Sequence, residues 1–400
     1  MKNSLYAVIS KLISLILIFI YTVAIAKNFG PDIFGDFIVV KTIITLTFVF
    51  SSLGNDAYLI SEASKTNNVI NFQSLYFSRI IIFIATSIPF YFLYSKIVFF
   101  SVLLTYLFQI TNYGYIRCLV LKNNKKAFFA SIYSTLISLG LYSIIYICEY
   151  KEALFFLIPS YYVLMNLFLI NESRLFLKTT GNNEKIIKTT TTILKKIWPI
   201  MLTASLIFLY TRIDVFMLSA LMTINEVGIY SVASQLTEPL SFVISAFVLS
   251  IISDINSTEN TQHRKEKIIK YLRLTNIYSL LIIIFYLIFG ERIIILFYGD
   301  EFSGAYDSLI LLSISKIFVF SNIFISTIMI VDQKYIVRLI RTILTIALNI
   351  MLSLIFITQL GMVGAAISVL ITQFLSVTLL NIAFKDTREY GYNFIRSLAP

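Results

Sequence analysis

The sequence predicts an all-α polytopic membrane protein, with about 12 transmembrane helices in two six-helix halves around a central cavity. Three observations predict it. First, the 400 residues are 58% hydrophobic and only 13% charged, about half the charge of a typical soluble domain. Charge is costly in hydrocarbon, so its scarcity marks a bilayer solvent. Second, twelve stretches reach the roughly 20 apolar residues that a helical span requires. They are 5–26, 37–60, 76–95, 97–117, 128–148, 153–171, 198–221, 228–252, 275–295, 304–330, 336–358 and 361–383. Third, the basic residues alternate in step with these spans. With the N-terminus placed in the cytoplasm, 25 of the 32 Lys and Arg fall on cytoplasmic segments and 4 (Lys27, Lys96, Lys151, Arg292) on outer ones. Lys41, Arg212 and Lys316 fall inside spans. A missed or extra span midway would scramble that ratio. The net charge of +11 thus follows from topology, and nucleic acid is not needed to explain it.

Each span boundary follows from local chemistry. Ala24-Ile25-Ala26 after a Lys-flanked apolar run has the outline of a cleavable leader, but Asn28 to Phe37 read as a structured loop, so the first run is kept as a span. The polar stretches 172–197 and 253–273 are the longest connections, and neither is long enough for a soluble domain. The first divides the chain into an N-terminal half, 1–190, and a C-terminal half, 191–400. Residues 29–37 and 222–230, both in outer loops, share a pattern. Aligned on Gly35 and Gly228, an acidic residue or amide precedes each Gly and an aromatic follows two later, Phe37 and Tyr230. With six spans per half the repeats run parallel, related by an axis along the membrane normal. Gly30, Gly35, Gly54, Gly228, Gly299, Gly361 and Gly364 sit where spans meet the interface and are read as turn residues adopting positive φ. Gly361 to Ala366 also offers small residues for close helix packing.

Two incidental cysteines, Cys118 and Cys148, and one histidine, His263 in a basic loop, leave no raw material for a metal site, a redox pair or Ser-His or Cys-His catalysis. No cofactor and no enzymatic activity are expected. The intramembrane ionisable residues are the candidates for mechanism, because each costs at least about 2.5–3.5 kcal/mol at the bilayer centre. Arg212 and Asp214 lie in span 7, two apart and so on different sides of the helix, each needing its own partner. Glu238 lies in span 8 before Pro239, which frees a backbone carbonyl. Lys316 lies mid-span 10 without an acid at helical spacing, Lys41 in the outer third of span 2, and Asn55 and Asp56 near its inner end. Structural pairing or, for Lys41, snorkelling to the interface is the alternative. The scattered hydroxyls and amides, among them Tyr210, Ser234, Gln235, Asn322, Asn349, Gln373 and Asn381, read mostly as interhelical hydrogen bonds.

Four segments in order resemble a known family. They are Asn28–Phe37, reading NFGPDIFGDF; Arg212–Leu218 followed by Glu226–Tyr230; Leu296–Phe302, reading LFYGDEF; and Gly361–Ala366, reading GMVGAA. In length, span count and these motifs the chain resembles the Wzx-type O-antigen flippases, polysaccharide transporters of the MOP superfamily related to MATE exporters. Phe37 and Phe29 stand where Tyr and Leu are commoner, and both keep apolar or aromatic character. The resemblance implies the MATE-like fold and a lipid-linked oligosaccharide on undecaprenyl pyrophosphate, moved between leaflets of the bacterial inner membrane with both termini cytoplasmic. It also implies a polymerase and a chain-length regulator as partners. Arg212, Lys316 and Lys41 would then be donors to the pyrophosphate, and Asp214 and Glu238 the acids that could carry a coupling ion. A polytopic O-antigen polymerase or ligase, which usually has a large outer loop, and a MATE-type drug exporter remain the alternatives.

Overall fold

The computed structural model describes residues 2–52, 124–149, 151–172, 205–258 and 260–398, with isolated positions between 100 and 118 and at 202. Predicted span 76–95, most of 97–117, Gly54, Asn55, Asp56 and residues 173–197 of the central connection lie outside the described residues. Every element among those described is helical: α1 (Lys2–Ser52), α2 (Asn124–Ile147), α3 (Leu157–Phe168), α4 (Ile213–Leu221), α5 (Ile224–Asn256), α6 (Thr261–Tyr298), α7 (Ala305–Val331), α8 (Tyr335–Val377), α9 (Leu379–Ala383) and α10 (Arg388–Leu398), with 3₁₀ turns at Lys151–Phe156 and Asp300–Phe302. Six helical stretches among them are long and apolar enough to cross a bilayer. In lipid the helix is the natural answer, because it satisfies each backbone polar group within the segment.

The chain forms two compact units. One comprises Met1–Ala24 and Phe37–Phe208, the other Ile25–Asp36 and Leu209–Pro400. In the first unit, α2 and α3 are joined by hydroxyls: Ser131 and Tyr161 lie 3.3 Å apart and Ser138 and Ser160 3.1 Å apart.

The second unit owes its tight turns to glycine, though only in part as the sequence predicts. Gly30 (φ 76°) breaks α1 and Gly361 (φ 57°) breaks α8, while Gly299 (φ 102°) ends α6. Pro31 restarts the helix after Gly30, a position that needs no N–H. Gly35, Gly228 and Gly364 are helical instead, a correction to their reading as turn residues. They are needed for close approach: a Cβ on Gly35 would collide with the Ile224 carbonyl, one on Gly228 with the Pro31 carbonyl, and one on Gly364 with the Phe356 carbonyl. The two glycines on which the repeat aligns therefore face each other. Phe34 locks this crossing, its ring edge-on to Phe302 at 5.9 Å.

Two further differences concern polar residues. The 253–273 stretch is mostly helix, since α5 continues to Asn256 and α6 begins at Thr261, capped by Asn260, whose side chain accepts from the Gln262 and His263 N–H groups. Arg341, placed by the sequence on a cytoplasmic segment, is only 5% exposed. Where α6 begins and α7 ends, Asp332 accepts from Arg264 at 2.5 Å and from the Tyr390 hydroxyl. This ties α10 to the bundle, helped by Asn276 donating to Ser397 at 3.0 Å. Asp332→Asn weakens the Arg264 and Tyr390 contacts, and α10 is then expected to become protease-sensitive. Limited proteolysis checks this, and an unchanged cleavage rate would show the tie to be idle.

Candidate functional site

Predicted span 7 is not one helix. Residues 205–210 are helical, Thr211 and Arg212 form a turn, and α4 restarts at Ile213. Arg212 itself has φ −128° and ψ 2°. Irregular backbone at membrane depth is tolerated where it lines a cavity, and a cavity of about 300 Å³ lies here. Its walls come from the helical residues before the break (Tyr210), the turn (Thr211), α4 (Asp214), α5 (Glu238), α7 (Lys316) and the second arm of α8 (Gln373).

The break places charge deliberately. Asp214 falls in the first turn of α4, where the helix dipole favours an anion, and one of its oxygens accepts the Val215 N–H at 2.9 Å. Its other oxygen accepts the Tyr230 hydroxyl at 2.5 Å. Arg212, two residues earlier, turns elsewhere and meets Glu238 at 2.8 Å. So α5 supplies a separate partner for each, as their spacing predicts. The Arg212–Glu238 pair stays partly open, with side chains 22% and 33% exposed, while Asp214 is 7% exposed. Pro239 has no N–H to give the Gln235 carbonyl, and one residue further on Tyr286 of α6 donates to the Leu236 carbonyl at 2.7 Å.

Lys316 is the exception to this pairing. It is 8% exposed, lines the cavity, and among the described residues no hydrogen bond or ion pair holds its ammonium. Buried charges are normally paired. With Asp214 and Glu238 each hydrogen-bonded elsewhere, the cavity presents one cation without a direct partner, in a wall of hydroxyls, the Gln373 amide and the apolar Leu312, Val319 and Val369.

Of the five residues predicted from sequence, the structure thus brings four together: Arg212, Asp214, Glu238 and Lys316. Lys41 lies half-buried in the other unit. Sequence reading did not single out Tyr230 as the Asp214 partner, having taken it for a loop aromatic. Nor did it find Gln373 and Arg341 as members of one polar network. The available signal was an amide or guanidinium on neighbouring spans, which marks cost and not partner. Glu226 also gains a role as half of a capping box, its carboxylate accepting the Thr223 N–H at 3.2 Å and hydroxyl at 3.0 Å to start α5.

Comparison with known proteins adds three results. A family model described as polysaccharide biosynthesis protein matches residues 1–252. No curated protein sequence matches the chain. Solved structures match over nearly its whole length. The lipid II flippase MurJ in an inward closed conformation superposes with a TM-score of 0.72 at 20% identity, covering 98% of this chain and 90% of that one. A multidrug resistance MATE family transporter of the MOP superfamily, facing inward, gives 0.67 at 14% identity, covering 98% of each. A MATE protein in a bent conformation gives 0.56 at 15% identity, covering 100% and 96%. The chain shares this helical transporter fold.

Proposed function

Because the chain belongs to the polysaccharide biosynthesis protein family, we propose that it is a flippase for an undecaprenyl-pyrophosphate-linked oligosaccharide, an O-antigen or similar repeat unit. It carries this from the cytoplasmic to the periplasmic leaflet of a bacterial inner membrane. Residues 1–190 and 191–400 act as the two halves of an alternating-access transporter of about 12 spans, with both termini cytoplasmic and a polymerase and chain-length regulator acting downstream.

The observation that carries this reading is the Lys316 ammonium, held by no hydrogen bond or ion pair among the described residues, in a cavity edged with hydroxyls. An anionic headgroup satisfies it as a charge-assisted acceptor. About 300 Å³ is at the small end of ligand sites, so it takes the pyrophosphate and adjoining atoms while the prenyl chain stays in lipid. Arg212 is neutralised by Glu238 in the structure. Protonating Glu238 frees that guanidinium for the same anion, which couples a proton to the substrate. Asp214 is the second candidate for ion coupling, and Lys41 keeps its proposed part in translocation on sequence grounds.

Deleting the gene in its own host and extracting prenyl-linked sugars tests the function. Loss of surface polymer with complete single units accumulating on the inner leaflet is expected. Units that reach the outer leaflet but stay single point to a polymerase, and unchanged polymer leaves the drug exporter, whose fold this chain shares. For coupling, Glu238→Gln is expected to slow export at least about tenfold with near-normal protein level. The same variant is expected to flatten the pH dependence of transport in vesicles. A pH profile identical to wild type removes Glu238 from coupling.

A further inference from the structure

Arg341 is a buried guanidinium outside the cavity wall, two turns into α8. Among the described residues it has no carboxylate partner; it is held by two neutral amides. Its Nη1 donates to Asn381 Oδ1, and its Nη2 donates to Asn322 Oδ1 at 3.0 Å. Asn381 is oriented by its own backbone contact, donating from Nδ2 to the Val377 carbonyl at 2.8 Å. Asn322 is oriented by Arg341. Its Nδ2 then donates to Gln373 Oε1 at 2.8 Å, and Gln373 lines the cavity beside Lys316.

The order of donors along this chain has one solution. A guanidinium has donors and no acceptor, and cannot lose its charge in a protein. Asn322 must therefore turn its oxygen to Arg341 and its nitrogen away. Gln373 must meet that nitrogen with its oxygen. What remains for Gln373 is its NH₂, a donor that faces the Tyr210 hydroxyl in the cavity wall. Were the Gln373 amide reversed, two NH₂ groups would face each other inside the membrane, where an unmatched pair is costly.

We infer that Arg341 is a positioning residue that, acting through Asn322, aims the Gln373 amide donors into the Lys316 cavity and completes an oxyanion site there. The inference rests on the function proposed above and deepens it by naming what selects the pyrophosphate. A neutral residue at 341 would let both amides rotate, and the cavity would then present donor or acceptor indifferently. A wall of one ammonium and an amide fixed as a donor fits phosphate oxygens, which only accept. The Tyr210 hydroxyl lies in the same wall, buried beside the Gln373 amide, and supplies one more rotatable O–H for such a ligand.

The test is calorimetric binding of a short-chain prenyl pyrophosphate and of the corresponding prenyl alcohol to the purified full-length protein in micelles. Asn322→Asp keeps an acceptor for Arg341 but cannot donate to Gln373. Gln373→Glu replaces the two donors by acceptors. In both, the affinity for the pyrophosphate is expected to fall about tenfold or more while the alcohol binds as before. General damage to the fold lowers both affinities together, so the ratio separates it from loss of the anion site, and Arg341→Gln, which adds no negative charge, separates positioning from repulsion by a new carboxylate. Arg341→Lys, still a donor without an acceptor, is expected to retain most of the preference, and Arg341→Gln to lose it. If wild type prefers the pyrophosphate and Asn322→Asp and Gln373→Glu share that preference, the positioning role is overturned and the proposed function stands. If wild type shows no preference for pyrophosphate over alcohol, the anion site fails, and the proposed function with it.

Discussion

Replacing Lys316 with glutamine is expected to abolish export of the surface polymer while leaving protein at or above its normal level. The two halves of this expectation come from one observation. Lys316 is 8% exposed in the middle of α7, and among the described residues no hydrogen bond or ion pair holds it; the longer-range attraction of Glu238 and Asp214 returns less than its burial costs. Removing a buried unpaired charge relieves that cost, and glutamine is close in length and remains polar toward the cavity. Stability should therefore hold or rise. The anion, however, loses its one uncommitted cation. Hydrogen bonds to charged groups contribute about 1.5–3 kcal/mol each, so binding should weaken roughly ten- to hundred-fold. Complementation of a deletion strain, with membrane protein quantified in parallel, separates the two effects. Full export by Lys316→Gln would place the anion elsewhere and leave the charge unexplained. Among the predicted donors, Arg212→Gln is expected to do more harm to the fold, because it strands Glu238 unpaired.

Gly228→Leu is expected to prevent the protein from accumulating, and Gly228→Ala to lower its thermal stability by several degrees. Gly228 is helical, so backbone strain is not the reason. The Cβ would meet the Pro31 carbonyl. Pro31 cannot retreat easily, since Gly30 before it already holds positive φ and Gly35 after it is pressed against Ile224. Phe34 between them is fully buried against Tyr298 and Phe302. Overpacking of this kind costs about 1–3 kcal/mol for a small increment and more for a large one. Gly140 is the control. Nothing lies within 4 Å of the place its Cβ would occupy, and it is exposed within α2. Gly140→Ala should be neutral or stabilise by up to about 1 kcal/mol. Thermal unfolding in detergent compares the two, and a Gly228→Ala midpoint equal to that of Gly140→Ala would show that the crossing relaxes freely.

Much of the site was legible because of cost. Arg212, Asp214, Glu238 and Lys316 stand out in apolar runs, and the two-residue spacing of Arg212 and Asp214 correctly assigns them separate partners. The identity of those partners was not legible. Tyr230 meets Asp214 only because the 205–221 segment breaks at Thr211 and Arg212 and α5 packs beside the restart, neither of which leaves a periodic signal. Gly35 and Gly228 were visible as a repeat, yet their reading as turns was wrong, since a helical glycine in close contact and a glycine at positive φ look alike in sequence. Arg341 was read as a topology charge for a similar reason. Hydropathy places a basic residue near a span end without saying whether it faces solvent or turns inward.

The sequence by itself determined the solvent and the helical class of this protein. Apolar length demands helices, and five ionisable residues inside apolar runs mark where a polar interior is needed. Those are properties of single segments, so one segment at a time suffices to read them. Only the tertiary structure decided which charges cancel and which remains. Arg212 and Glu238 neutralise each other, Asp214 is held by Tyr230, and Lys316 is left facing the cavity. Whether a buried charge is structural or available depends on the nearest side chain of a different helix, and that distance exists only once the helices have packed.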